Sequence, residues 1–90
     1  MKDIDLINLM KVCNKATQSP WKSYIEGRDH YSGSNFIMTG NADNRDYDIE
    51  FAGIKLEDQD FIAIARNSMP DLIEEVIRLR QILNDHSISF

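Results

Sequence analysis

Apolar residues near the N-terminus recur with the period of an α-helix. They form one stripe and a flank beside it, which consist of Ile4, Ile7, Met10 and Cys13, and of Leu6, Leu9, Val12 and Ala16. Asp3 is suited to cap the first turn, because its carboxylate accepts backbone hydrogen bonds there. Pro20 disfavours the helical conformation at Ser19. The pattern therefore predicts a helix within residues 1–17, from Asp3 to about Thr17.

Residues 21–55 change to short segments of β character, bounded by loops rich in Gly, Asn, Asp and Ser. In the third segment the apolar side chains at 47, 49 and 51 share one face, while Asp48 and Glu50 share the other. We therefore predict a three-stranded antiparallel meander, which requires helices to cover it. The predicted strands are Trp21–Glu26, Asn35–Thr39 and Tyr47–Phe51.

From residue 56 the helical period returns, and Pro70 lies inside it. Apolar residues at alternating spacings of three and four form a seam, which consists of Ile62, Ala65, Met69, Leu72, Val76, Leu79 and Leu83. Proline in a helix interior costs about 3 kcal/mol, whereas the first turn tolerates it. We predict two helices, Glu57–Asn67 and Met69–Asn84, with Ser68 capping the second and a break or sharp kink at Pro70. Residues 85–90 are predicted to fray.

Together these elements predict an α+β fold in a single domain of residues 1–90, with a thin core that association can stabilise. Beside the seam, Ile73 and Ile77 form a second apolar ridge, so that one ridge can cover the sheet while the other meets a partner helix. The alternative is that both ridges belong to the intramolecular core. For a homodimer or higher homo-oligomer, the predicted interface is Leu72, Ile73, Val76, Ile77, Leu79 and Leu83.

The formal net charge is −5, and it is unevenly distributed. Residues 1–45 carry six Lys/Arg against five Asp/Glu, giving +1, and residues 46–90 carry four against ten, giving −6. An acidic chain neutralises phosphates poorly, which argues against duplex nucleic acid as a partner. No apolar run approaches the roughly 18 residues that a membrane span requires. The lone Cys13 and the lack of a signal-peptide pattern predict a reducing, cytoplasmic location.

No motif in the chain carries a reaction by itself, and we predict a non-enzymatic protein without a cofactor or metal. Asp46, Asp48 and Glu50 share a strand face that could hold a cation, yet the solvated face of a small sheet accounts for them as well. Cys13 lies in an apolar stripe and is expected to be inert core. A hydrolase with His30 as its base is the enzymatic alternative.

The segment Trp21–Phe36 interleaves aromatic rings with cations and short polar side chains, a mixture that suits a nucleotide-like ligand. The aromatic members are expected to stack on a base, the cations to meet phosphates, and an asparagine to contact a ribose or base edge. The alternative is that Trp21 and Phe36 pack in the sheet core. The predicted ligand-binding residues are Trp21, Lys22, Tyr24, Arg28, Tyr31, Asn35 and, beside the break at Pro70, Arg66.

Two stretches of the chain resemble small accessory proteins of tailed phages and prophages. The stretches are ATQSPW at residues 16–21 and DQDFIAIARNSMPDLIEEVIRLR at residues 58–80. Those proteins carry an Ala-Thr-Pro-Gly-Pro-Trp-like turn and an Asp-x-x-Phe-Ile-Ala-x-Ala-Arg…Pro-x-Leu-Leu-x-Glu-Val-x-Arg-Leu-Arg ending. The turn departs from the pattern, since Gln18 and Ser19 stand where Pro-Gly is expected. The resemblance covers both ends of the chain and leaves out its middle.

This resemblance implies a phage origin and a shared scaffold, and the motif itself implies no activity. Phage accessory proteins of this size resemble inhibitors of host defence, which bind a host protein or a nucleotide immune signal in the host cytoplasm. Together with the segment Trp21–Phe36, the resemblance leads us to expect a protein that sequesters a small nucleotide-derived immune signal. The alternative is a protein–protein inhibitor or adaptor that acts on a host protein through the acidic strand face or the C-terminal helix.

Overall fold

The computed structural model describes residues 1–31, 33–41 and 43–87. Helices flank a three-stranded antiparallel sheet along the chain, which confirms the predicted α+β class. In chain order the elements are α1 (Asp3–Lys15), β1 (Trp21–Tyr24), β2 (Asn35–Gly40), β3 (Arg45–Phe51) and α2 (Leu56–Asp85). Of the predicted frayed tail, residues 85–90, Asp85 is the last residue of α2, and residues 88–90 lie outside the described residues. No helix in the described part of the chain is both long enough and apolar enough to cross a membrane.

The chain divides into two compact units. The helical unit comprises Met1–Ala16 and Ser68–Phe90, and the sheet unit comprises Thr17–Asn67. Helix α2 contributes its first residues to the sheet unit and the remainder to the helical unit. The single domain of residues 1–90 stays a prediction.

Helix α1 begins with a contact that the sequence did not single out. The carboxylate of Asp5 accepts a hydrogen bond from the backbone N–H of Lys2 over 2.8 Å, which satisfies one donor at the start of the helix. Asp3, the predicted cap, instead forms an ion pair with Arg80 over 2.7 Å. The helix ends at Lys15, two residues before the predicted end, and the N–H of Ala16 still bonds the carbonyl of Val12.

The core of the helical unit consists of a small apolar cluster. Its buried members are Leu6, Cys13 and Ile73, and Leu9, Met10 and Met69 pack against it. Cys13 is buried there, as expected for an inert core thiol. Only the second half of the predicted stripe lies in this core, since Ile4 and Ile7 are 55% and 47% exposed whereas Met10 and Cys13 belong to the cluster. Leu6 and Leu9 of the predicted flank complete the buried side of α1.

Helix α2 runs through Pro70 without interruption, so the prediction of two separate helices is wrong. Proline lacks the N–H that would donate to the carbonyl of Arg66, and its ring crowds that carbonyl. Ser68 therefore lies inside the helix and is not an N-cap. Burial holds the helix on both sides of the proline, since Ala63 is 4% and Ile73 is 2% exposed. Tertiary packing of this kind outweighs a local helix penalty of about 3 kcal/mol.

The sheet has the strand order β1-β2-β3 and is antiparallel throughout. Trp21 pairs with Thr39 and Tyr24 with Phe36, and the central Ile37 is fully buried. The ladder between β2 and β3 is irregular between Met38 and Gly40. Gly40 has φ of +80°, and a Cβ atom there would lie 2.3 Å from the carbonyl oxygen of Asn44. Only glycine fits this position, which sets the turn that leads into β3.

Candidate functional site

The seven predicted ligand-binding residues all lie in the sheet unit, but some lie on opposite faces of the sheet, and Arg28 and Tyr31 lie in the loop between β1 and β2. The side-chain amide of Gln59 donates to Ser23 Oγ over 2.9 Å, so Ser23 faces α2. Because side chains alternate along a strand, Lys22 and Tyr24 lie on the opposite face. The face that carries Ser23 is called the inner face, and the face that carries Tyr24 the outer face.

Trp21 and Arg66 meet on the inner face. The guanidinium carbon lies 5.9 Å from the centre of the Trp21 ring system, within the range of a cation–π contact. Both side chains also donate to the carbonyl of Thr17, the indole N–H over 3.0 Å and Arg66 Nε over 3.1 Å. Asn67 accepts from the N–H of Trp21 and donates to its C=O, each over 2.7 Å. These contacts favour a structural role for both residues at the start of β1.

Arg28 is engaged by two carboxylates. Its Nη1 and Nη2 donate to Asp60 over 2.8 and 3.0 Å, and its Nε donates to Asp29 over 2.9 Å. The hydrogen bonds from Arg28 lower the pKa of Asp29 and of Asp60, and the bond to Asp60 is the largest of the effects that raise the pKa of Arg28. The charge that was expected to meet a phosphate is therefore already balanced within the protein.

Asn35 and Tyr31 stand in opposite situations, since Asn35 is hydrogen-bonded within the protein and Tyr31 is exposed. The amide oxygen of Asn35 accepts a hydrogen bond from the N–H of Glu26 over 2.9 Å, which joins the end of β2 to the preceding loop. Tyr31 is 97% exposed in that loop. Asn35 is thus engaged in holding the loop, and Tyr31 presents its whole ring to solvent.

An aromatic cluster occupies the outer face. Tyr24 and Phe36 are register partners on β1 and β2, and their rings stack with centroids 5.1 Å apart and planes 15° apart. The ring of His30 lies 5.5 Å from that of Phe36, and Lys22 Nζ lies 5.1 Å from the centre of the Tyr24 ring. The aromatic cluster is defined as Lys22, Tyr24, His30 and Phe36. It combines planar apolar surface with an exposed cation.

Acidic side chains lie beside the aromatic cluster on the outer face. Register pairing sets Glu50 opposite Phe36 and Asp48 opposite Met38. Asp48 forms an ion pair with Arg45 over 2.6 Å, and the hydrogen bond to Asp48 raises the pKa of Arg45. The outer face thus runs from a cation on β1, across aromatic rings, to a carboxylate on β3.

Gln59 is the residue that reasoning from the sequence missed. It is fully buried, and its Nε2 donates to Ser23 Oγ and to the carbonyls of Tyr24 and Phe36 over 2.9, 3.2 and 3.0 Å. A hydrogen bond from Ser23 to Asp60 extends this network and helps to lower the pKa of that carboxyl. The sequence carried no clear signal for it, because Gln59 lies outside the predicted seam and its burial depends on carbonyl groups of β1 and β2.

No group of three or more His, Cys, Asp or Glu side chains among the described residues is placed to hold a metal ion. In the acidic row Asp46, Asp48 and Glu50, the middle carboxylate is paired with Arg45. The row is exposed on β3, as the solvated face of a small sheet requires.

The residues predicted as an oligomer interface separate into buried and exposed groups. Ile73 is 2% exposed and belongs to the intrachain cluster, so its side chain packs within the chain and is not presented to a partner. Leu83 is half-buried. The exposed members are Leu72, Val76, Ile77 and Leu79.

Comparison with known proteins finds no matching family model, no similar curated protein and no similar solved structure. The phage resemblance therefore stays a prediction from the two sequence motifs.

Proposed function

We propose that the protein is a non-enzymatic binding protein that sequesters a small nucleotide-derived ligand, with the base stacked on the aromatic cluster. The observation that carries this proposal is the pair of near-parallel rings, Tyr24 and Phe36, with Lys22 beside them on the outer face. Aromatic side chains on an open sheet face bind planar bases by stacking, and every base has a face that can stack.

The charges around the cluster orient such a ligand. Lys22 is exposed on a flexible stem, so its ammonium can leave the Tyr24 ring to meet a phosphate. At the other side of Phe36, Glu50 can accept hydrogen bonds from ribose hydroxyls or from an amino group of the base. The ligand then lies across the strands, with phosphate toward β1 and sugar or amino groups toward β3.

The remaining predicted residues act in this proposal as supports. Arg28 holds the loop that carries His30 by binding Asp60, and Arg66 fixes the start of β1 through Thr17. Both keep the aromatic cluster in place without touching the ligand. The carboxylates near the cluster favour a ligand with few phosphate charges, because a highly charged ligand would be repelled.

The biological role is part of the proposal and rests on the phage resemblance of residues 58–80. In that role the ligand is an immune signal of the host, and the protein lowers its free concentration by binding it. Sequestration requires no chemical step, which agrees with a site that offers stacking and hydrogen bonds.

Isothermal titration calorimetry against cyclic dinucleotides and ADP-ribose derivatives tests the proposal. We expect one of these ligands to bind, and to be recovered chemically intact after the complex is denatured. Absence of heat from all of them, or recovery of a changed ligand, would overturn the proposal.

Variants of the outer face separate binding from folding. Tyr24→Ala is expected to weaken binding about 10- to 100-fold, the loss of roughly 1–3 kcal/mol of stacking, whereas Tyr24→Phe retains it. Lys22→Glu is expected to weaken binding without unfolding the protein, because Lys22 is exposed. Tyr31→Ala is the control, since Tyr31 lies outside the aromatic cluster. If Tyr31→Ala weakened binding and Lys22→Glu did not, the ligand would bind outside the aromatic cluster.

A further inference from the structure

Glu50 is the acidic residue of the outer face that lies directly beside the aromatic rings. It is the register partner of Phe36, and directly opposed residues of an antiparallel pair project from the same face with Cβ atoms about 5 Å apart. Phe36 is in turn the register partner of Tyr24 on β1. The three side chains therefore form one row across the three strands, and Glu50 ends this row on β3.

The carboxylate of Glu50 is available to a ligand, whereas that of its neighbour Asp48 is occupied. Arg45 Nη2 donates to both carboxylate oxygens of Asp48, over 2.8 and 2.6 Å. Among the described residues, the carboxylate of Glu50 forms no ion pair and no hydrogen bond, and its side chain is exposed. Glu50 is thus the carboxylate beside the rings that can accept hydrogen bonds from a ligand.

The aromatic stack points toward this carboxylate. Tyr24 stacks on Phe36 from the side of β1, and the strand order places β3 on the other side of Phe36. The ring of His30 is tilted by 50° against that of Phe36, so it borders the stack and does not continue it. A base that extends the stack beyond Phe36 therefore lies over β3, where its edge meets Glu50.

A carboxylate recognises one base better than the others. It only accepts hydrogen bonds, through two adjacent oxygens. The Watson–Crick edge of guanine carries two adjacent donors, the N1–H and the amino group, which match both oxygens. Adenine and cytosine place one amino donor beside a ring nitrogen that accepts, and uracil has one N–H between two carbonyls. In those bases an acceptor faces a carboxylate oxygen and is repelled by it.

We propose that the ligand of the outer face is a guanine nucleotide, and that Glu50 accepts hydrogen bonds from the N1–H and the amino group of the base. Lys22 on β1 then meets the phosphate. Since β2 lies between them, β1 and β3 are about 10 Å apart, a distance comparable with the length of a single nucleotide. This inference rests on the proposed function and narrows its ligand from any planar base to guanine.

Titration of the full chain with cyclic GMP, cyclic IMP and cyclic AMP tests the choice of base. These nucleotides carry the same phosphate charge, and cyclic IMP keeps the N1–H of guanine but lacks its amino group. We expect cyclic GMP to bind about tenfold more tightly than cyclic AMP, with cyclic IMP between them, because an exposed carboxylate shares its hydrogen bonds with water. Equal affinities, or tighter binding of cyclic AMP, would overturn the inference.

Glu50→Gln separates recognition of the base from a structural role of Glu50. The amide presents an acceptor beside a donor, which matches the amino group and N1 of adenine but sets a donor against a donor of guanine. We expect this variant to weaken the binding of cyclic GMP and to strengthen that of cyclic AMP, so that the preference changes by about tenfold or more. A distorted sheet would weaken both nucleotides, and a parallel loss would therefore contradict the inference.

Asp46→Asn is the matched control for charge. It removes one negative charge from the same strand at an exposed position about 13 Å along the strand from Glu50, which is beyond hydrogen-bonding reach. The preference for cyclic GMP over cyclic AMP should stay unchanged in this variant. A change of preference as large as that of Glu50→Gln would show that net charge, and not contact with the base, sets the selectivity.

A wider set of ligands distinguishes failure of this inference from failure of the proposed function. If cyclic GMP did not bind and an ADP-ribose derivative did, with its affinity reduced by Tyr24→Ala, the proposed function would stand and guanine recognition would be refuted. If neither the cyclic mononucleotides, the cyclic dinucleotides nor the ADP-ribose derivatives bound, both would be refuted.

Discussion

Among the described residues, the helical unit buries only apolar side chains, whereas the sheet unit also buries polar ones. In the helical unit the buried side chains are Leu6, Cys13 and Ile73. In the sheet unit they are Ile25, Ile37, Ala63 and the polar Thr39 and Gln59. Thr39 donates to the carbonyl of Tyr47, and Gln59 donates to two strand carbonyls.

This difference concerns how each unit specifies its own structure. Apolar packing has no direction, so a cluster of three buried side chains tolerates alternative partners. Hydrogen bonds have direction, and a buried donor that reaches particular carbonyls fixes the position of one element against another. Buried hydrogen bonds therefore fix the elements of the sheet unit more narrowly than apolar packing fixes those of the helical unit.

The largest effect is expected from Ile73→Ala in the helical unit. Removing most of a side chain that is 2% exposed leaves a cavity and is expected to lower the free energy of unfolding by about 3 to 4 kcal/mol. Chemical denaturation measures the change. Ile64→Ala on the same helix is the control, since Ile64 is 63% exposed and should change stability by about 0.5 kcal/mol or less. Equal effects of the two substitutions would show that burial in the apolar cluster does not account for the stability of the helical unit.

Gln59→Glu is expected to be nearly as damaging in the sheet unit, by about 2 to 3 kcal/mol. The shape is retained, but a carboxylate cannot donate to the carbonyls of Tyr24 and Phe36 and would be buried beside Asp60. Gln59→Met, which is apolar and of similar size, should cost less because it buries no charge. Hydrogen exchange of the β1 and β2 amides localises the loss. If Gln59→Met destabilised more than Gln59→Glu, packing and not hydrogen bonding would dominate there.

Asn67→Ala should have a smaller effect, about 1 kcal/mol, because Asn67 is exposed and water can replace its bonds to Trp21. Asn67→Asp keeps the acceptor for the N–H of Trp21 and loses the donor, so an intermediate loss is expected. The midpoint of urea unfolding orders the three proteins. A loss with Asn67→Asp as large as with Asn67→Ala would show that the contact to the carbonyl alone matters.

The smallest effect is expected on lowering the pH, which should reduce the stability that ion pairs contribute to the sheet unit. Arg28 lowers the pKa of Asp29 and Asp60 in the folded protein, so their contribution is fully present above the unfolded pKa of about 3.9. This contribution is lost as the pH falls through the lower pKa values that the two carboxyl groups have in the folded protein. All three side chains are partly exposed, so salt should reduce the effect.

Unfolding midpoints at neutral and acidic pH measure this dependence. Arg28→Gln is expected to lose less stability on acidification than the unmodified protein, because both carboxyl pKa values return toward their ordinary range. An identical acid dependence of the two proteins would mean that this ion-pair group does not contribute to the stability of the sheet unit.

Several elements could be predicted from the sequence because neighbouring residues determine them. β3 begins two residues earlier than expected and ends at Phe51 as expected, since its alternation is local. The break at Pro70 was wrongly predicted because the rule for proline considers one hydrogen bond and not the burial on either side. Asn67 and Arg28 contact residues more than thirty positions away, and their partners cannot be read from a local pattern.

The candidate site could likewise be predicted in part from the sequence. The sequence shows that residues 21–36 are rich in aromatic and cationic side chains, and all members of the aromatic cluster lie in this segment. The partition between inner and outer face was not evident, because it depends on which side of β1 meets Gln59. The bidentate contact of Arg28 with Asp60, 32 positions away, could not be predicted from a local pattern, so Arg28 and Lys22 were both expected to meet phosphates.

The amino-acid sequence alone determined the α+β class and the approximate place of each strand, since periodicity follows from backbone geometry that acts over a few residues. The tertiary structure decided which apolar side chains of α1 are buried, that α2 continues through Pro70, and that Gln59 lies in the sheet core. These outcomes depend on free energies of packing and hydrogen bonding between residues distant in the chain. The free energies of such contacts together exceed the local conformational preferences, about 1–3 kcal/mol, from which a sequence pattern is interpreted.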